Sequence, residues 1–245
     1  MKKYLPFILL GVGLLVVVGA FVLVKSKKTA PTTDTDTESA LLDVPLGKRP
    51  VVGLTPDADG HYLKLHIEKM QIEGAKTLDY ELIYQVPEHP SQGVPGSIDV
   101  SDKTSFDADL LLGSESSGKF RYDNGVESGT MTFRFRNEAG KLLTKFSTDF
   151  HMQKDPETLT SQDGKLSIKL STSAKGFFIT MPSIGVPKET TSEPKAGPYV
   201  VHSSTGDQFS GKATIEGSST YHFEGGDWKK LEDGTSKDLG FFLGM

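Results

Sequence analysis

The chain has 245 residues with 27 Lys+Arg, 32 Asp+Glu, six His, one Trp and no Cys. Its formal net charge of −5 is unevenly spread: residues 1–28 hold five lysines and no acid, which leaves 22 basic against 32 acidic side chains in residues 29–245, a net of −10. A body this acidic is a poor partner for nucleic acid phosphates, and the lack of Cys excludes disulfides, thiol catalysis, iron–sulfur clusters and Cys-containing zinc sites.

The first predicted element is Leu5–Val24, twenty residues without a charge. At ~1.5 Å per residue they make a helix of about 30 Å, the thickness of a hydrocarbon core. Pro6 falls in the first turn, where a missing N–H costs nothing, and lysines flank both ends. Val18-Gly19-Ala20 resembles a signal-peptidase site, but the apolar run continues through Phe21–Val24, so the expectation is an uncleaved single-pass anchor in the bilayer. Lys2 and Lys3 nearly balance Lys25, Lys27 and Lys28. The polar chain that follows favours a cytoplasmic N-terminus and an extracytoplasmic body. Residues 29–47 begin Thr-Ala-Pro-Thr-Thr-Asp-Thr-Asp-Thr-Glu, a Thr/Pro/acidic linker with little apolar area to bury. As a flexible coil it spans roughly 20–25 Å.

From about Lys48 onward the apolar period is two. Tyr62–Ile72 alternates through Leu63, Leu65 and Ile67, and a change of phase at Lys69-Met70 predicts a bulge. Leu78, Tyr80, Leu82 and Tyr84 share a face in the next run. Met131–Arg136 and Leu142–Met152 alternate on either side of Asn137-Glu138-Ala139-Gly140, which predicts a β-hairpin with Leu142, Thr144, Phe146, Thr148, Phe150 and Met152 on one face and Lys141, Lys145, Asp149 and His151 on the other. Leu166, Ile168 and Leu170 mark another strand, Phe177–Met181 a further one, and Tyr221–Phe223 with Trp228–Leu231 flank the turn dipeptide Gly225-Gly226. No window beyond residue 28 reads as an amphipathic helix.

Short strands at this spacing predict an all-β fold, an immunoglobulin-like antiparallel sandwich. Residues 48–154 carry seven or eight expected strands, and residues 155–245 five or six. The second part is either a smaller β domain or an extension of the first sheet pair, with the division near Asp155-Pro156.

Gly113-Ser114-Glu115-Ser116-Ser117-Gly118-Lys119 matches the phosphate-cradling pattern G-x-x-x-x-G-K. Phe120 stands where Ser or Thr must hold magnesium, and Lys119–Tyr122 continues as a strand where a helix is required. It reads as a β-connection. Asp57-Ala58-Asp59-Gly60 starts like a calcium loop, and Glu68 falls on the twelfth position. His61 and Tyr62 occupy the fifth and sixth positions, so an Asp-Gly turn is the better reading. His61 and His66 face opposite ways on a regular strand and cannot share a metal. Asp149 and His151 share the solvent face of the hairpin without a nucleophile. Tyr221, Phe223 and Trp228 form an aromatic cluster suited either to a glycan- or peptide-binding face or to cross-strand packing. No catalytic, cofactor-binding or metal-ligating residue is assignable.

The stretches Gly93–Gly96, Leu110–Ser114, Arg121–Asp123 and Met131–Met152 resemble uncharacterised, N-terminally anchored, single-pass bacterial proteins. Gly176–Met181, Gly197–Tyr199 and Gly226–Leu231 are similar to theirs as well. The resemblance implies an anchored β-sandwich and supplies no ligand. The expected role is a non-enzymatic surface module binding a glycan or protein outside the membrane. Alternatives are a carboxylate-dependent hydrolase of glycan or peptide and a structural subunit of an envelope assembly.

Overall fold

The computed structural model describes residues 41–206 and 208–245. The predicted span Leu5–Val24 lies outside them. Among the described residues, no helix is long and apolar enough to cross a membrane.

The described chain is all-β, and every strand pairing is antiparallel. A three-stranded sheet joins β1 (Val51–Pro56), β2 (Tyr62–Glu68) and β5 (Ser105–Leu111). A nine-stranded sheet starts at one edge with β4 (Gln92–Asp99), β3 (Thr77–Tyr84), β8 (Ser128–Arg136) and β9 (Leu142–Lys154). It continues through β12 (Phe177–Pro182), β13 (Ala196–Ser203), β18 (Gly240–Gly244), β15 (Thr220–Glu224) and β16 (Asp227–Lys230). A four-stranded sheet holds β10 (Thr158–Thr160), β11 (Leu166–Leu170), β14 (Gly211–Ile215) and β17 (Thr235–Ser236). The ribbon of β6 (Gly113–Ser116) and β7 (Lys119–Tyr122) pairs with no other strand among the described residues. Among the described residues nine strands thus precede Asp155 and nine follow it, more than the spacing predicts. Strands of two to four residues, such as β10 and β17, are too short to show a period.

Two apolar cores lie on opposite faces of the large sheet. Leu54, Leu65, Leu82, Phe133, Phe150 and Ile179 belong to one core, shared with the three-stranded sheet. Leu159, Ile168, Phe178, Tyr199, Val201 and Phe242 belong to the other, shared with the four-stranded sheet. Phe178 and Ile179 are neighbours in sequence and point to opposite sides, as the pleat requires. Residues 178–181 and 198–201 are therefore continuously buried, which explains why β12, apart from Thr180, and residues 198–201 of β13 are apolar at successive positions.

The predicted hairpin forms as β8 and β9, with Met131 opposite Thr148 and Phe133 opposite Phe146. Its outer face is polar, where Arg136 Nε donates to Asp79 (2.9 Å), Arg134 to Glu81 (3.2 Å) and Thr130 Oγ1 to Asp149 (2.6 Å). No bulge interrupts β2 at Lys69. The strand ends at Glu68, and Lys69 takes a left-handed φ of 54°. That turn drives Met70 into the core while Lys69 Nζ donates to the Val186 carbonyl at 2.9 Å. Asp155, also left-handed, carries the chain off the large sheet. Gly176 returns it to the same place: Asp155 N–H donates to Gly176 O (2.9 Å) and Gly176 N–H to Asp155 Oδ1 (2.8 Å). The excursion between them supplies β10 and β11 to the opposite face.

The described chain is fixed at its start. Leu42 N–H donates to Leu143 O (2.8 Å), and Thr144 Oγ1 donates to Leu42 O (3.2 Å). This end, with the Asn137–Gly140 turn, is the root. β9 leads from it over about 40 Å to Lys154 at the tip.

Two histidines at the interface of β1, β2 and β13 titrate with opposite signs. His202 packs over Gly53, and its Nδ1 donates to Leu54 O at 3.2 Å. Burial lowers its pKa, the Leu54 carbonyl partly opposes this, and His66 adds to the lowering. His66 is partly desolvated, but hydrogen bonds to Asp107 (2.9 Å) and Glu68 (3.2 Å) outweigh that and raise its pKa. A lowered histidine costs stability as pH falls below the unfolded value of about 6.5, whereas a raised one gives stability that is lost as pH climbs above it. Thermal unfolding across pH 5–8 should therefore peak near pH ~6.5. His202→Asn should flatten the acid limb, and His66→Asn the other limb by no more than about 0.5 kcal/mol, since that cluster is exposed.

Candidate functional site

The tip is assembled by the Asp57-Ala58-Asp59-Gly60 turn. Gly60 has φ 73°, and Asp57 Oδ1 accepts the N–H groups of His61 (2.7 Å) and Tyr62 (3.1 Å). The carboxylate is thus spent on the backbone as an Asp-Gly turn would have it. No group of three or more His, Asp or Glu residues suited to a metal occurs among the described residues.

The turn aims His61 at the β6–β7 ribbon. Its imidazole stacks on Tyr122 with centroids 3.9 Å apart and planes within 4°. Phe120 lies 6.1 Å from Tyr122 at 11°, so its ring is nearly parallel to the other two. The ribbon's base is bolted to the sandwich, because Leu112 N–H donates to His61 O (2.8 Å) and Asp123 N–H to Leu112 O (2.9 Å). Ser117 and Gly118, both at positive φ, make its tight turn. The G-x-x-x-x-G-K stretch is therefore a hairpin with no helix. Gly113 pairs with Tyr122, where a Cβ would meet the Arg121 carbonyl oxygen at 2.2 Å, so only glycine lets the strands close.

Phe120 and Tyr122 are 48% and 36% exposed, large values for aromatic side chains in a folded body. By register Glu115 is opposite Phe120 and shares its face, while Lys119 and Arg121 point to the other. Tyr62 stands edge-on to Tyr122 at 6.4 Å. Partial desolvation, the Tyr122 hydroxyl and the Glu115 carboxylate together hold the Tyr62 phenol above its ordinary pKa.

Beside the ribbon is a cleft of about 600 Å³ lined by Asp59, Asp123, Glu127, His151, Lys154 and Phe177. Phe177 packs over Gly60, and the Lys154 ammonium sits 5.2 Å above its ring. Tyr84 donates to Asp123 Oδ2 at 2.9 Å. His151 Nδ1 donates to Thr160 O at 2.8 Å, so His151 serves β10, while Asp149 accepts from Thr130. The Asp149/His151 pair of the sequence thus divides between separate partners.

Of Tyr221, Phe223 and Trp228, the last two pack on each other. Phe223 pairs with Trp228 at 5.2 Å, and Trp228 Nε1 donates to Lys188 O at 2.8 Å, holding down the loop before β13. Comparison of the chain with protein-family models, curated proteins and solved structures gives no match.

The turn's role is testable. Asp57→Ala leaves two backbone donors without their acceptor and should destabilise the protein by about 1–2 kcal/mol in urea unfolding, whereas Asp57→Asn should recover most of the loss.

Proposed function

We propose that this is a membrane-anchored, extracytoplasmic, immunoglobulin-like sandwich protein acting as a non-enzymatic binding module. The observation that carries the reading is the placement of two features. The described chain is pinned at the root through Leu42, and the exposed Phe120–Tyr122 ribbon stands at the tip. A body held from its root presents the tip to whatever lies beyond the surface. The charge division agrees, since a body of −10 beyond a lysine-flanked apolar stretch is repelled by anionic headgroups within roughly 8 Å at physiological salt. β1, β2 and β5 facing β4, β3, β8 and β9 give seven antiparallel strands in two sheets, which suits the immunoglobulin-like description. Rigid aromatics on a fixed hairpin bind at low entropic cost, and this favours recognition over turnover.

The chain has no cysteine, so one introduced thiol reports one place. Ser116→Cys at the tip and Lys141→Cys at the root should both react with a membrane-impermeant maleimide on intact cells. Labelling only after lysis would place the body inside and refute the proposal.

A further inference from the structure

We infer that the ribbon face formed by Phe120, Tyr122 and Glu115 is a binding site for an extended, β-linked glycan strand; the inference rests on the proposed binding role and gives it a ligand class. The argument begins with composition. The ten residues Gly113–Tyr122 contain two aromatics, three serines, two glycines, Glu115, Lys119 and Arg121, and no aliphatic side chain. Protein hot spots are anchored in well-packed, desolvated pockets ringed by further contacts. A ribbon that pairs with no other described strand and carries no aliphatic groups offers flat rings and polar groups only.

Sugars match that surface. A pyranose has a broad face of C–H groups and a rim of hydroxyls. The C–H groups carry partial positive charge and settle on the negative face of an aromatic ring, while the hydroxyls donate to carboxylates. Phe120 and Tyr122 are parallel within 11°, so a chain whose rings repeat in one orientation can engage both. Glu115 lies on the same face to accept hydroxyl donors. Tyr122 is ordered before binding, because His61 already covers one side of it and Asp57 holds the His61 backbone. Little freedom of the Tyr122 side chain remains to be lost on association. Lys119 and Arg121 lie on the reverse face, and Arg121 Nη2 is directed at Asp123 (3.7 Å), so the binding face itself is uncharged apart from Glu115.

The test uses the full-length protein in phosphatidylcholine nanodiscs, sedimented with amorphous cellulose, chitin or purified peptidoglycan. Binding to at least one polymer is expected. Phe120→Ala and Tyr122→Ala should each weaken it at least about tenfold, Phe120→Trp should retain it, and Lys141→Ala at the root should leave it unchanged. Matching thermal unfolding of each variant with the parent excludes loss of fold. Failure to bind any of the three polymers, or binding indifferent to Phe120 and Tyr122, overturns the inference. So does association solely with phosphatidylglycerol vesicles, which would make the ribbon a membrane contact. Maleimide labelling of Ser116→Cys on intact cells is independent of these results, so the glycan assignment can fail while the surface-module reading stands.

Discussion

Everything in the described body depends on two strands that have no solvent face. β12 and β13 lie inside the nine-stranded sheet and are covered on both sides, by the three-stranded sheet over Ile179, Met181 and Val200 and by the four-stranded sheet over Phe178, Tyr199 and Val201. Burying side chains of this size contributes roughly 1.5–3 kcal/mol each. Here one strand pair serves two cores, so neither core closes without it. Polar groups caught in this layer are satisfied locally: Thr180 is fully buried and donates its hydroxyl to the Thr160 carbonyl, and Tyr199 donates to Asp163 at 2.8 Å. Without cysteine, packing and such bonds hold the body together, and the Asp155–Gly176 latch fixes where the chain changes faces.

The same layer explains how the tip is held. β9 pairs with β12 at the tip through Phe177 and Lys154, and Phe177 lies across Gly60 of the Asp57 turn. That turn positions His61, and His61 supports Tyr122 of the ribbon. Each contact is ordinary. In series they connect the doubly buried strands to an exposed aromatic pair by parts with fixed backbone geometry. A projecting ribbon resting on its own two strands alone would be marginally stable in water.

Much of this was legible in the residues. The alternation of Met131–Met152 determines a hairpin, because one covered face and one wet face leave a clean period of two, and Gly225-Gly226 with both φ values positive makes the predicted tight turn. The run Phe177–Met181 reads as a strand, but its apolar continuity does not say which two surfaces cover it, since periodicity describes one strand and double burial is a property of three sheets. The same limit explains the aromatics. Phe223 and Trp228 and the pair Phe120 and Tyr122 have similar local patterns. Yet Trp228 packs on Phe223 and donates to Lys188 in the loop before β13, whereas Phe120 and Tyr122 stay 48% and 36% exposed although His61 backs one side of Tyr122. Exposure depends on chain far away in sequence. The signal available at the ribbon was negative: no aliphatic residue from Gly113 to Tyr122, so that run had little to bury.

The claim on which this account rests is that one strand layer joins both halves into a single unit that carries the tip. Adjacent residues on its two faces test it directly. Phe178→Ala opens the core of the four-stranded sheet and Ile179→Ala that of the three-stranded sheet, both side chains being fully buried in the parent. Urea unfolding, followed by Trp228 fluorescence and by far-ultraviolet circular dichroism, should show one common transition in each variant, lowered by about 3–5 and about 2–5 kcal/mol respectively. Two transitions that move separately, one with each substitution, would contradict the account.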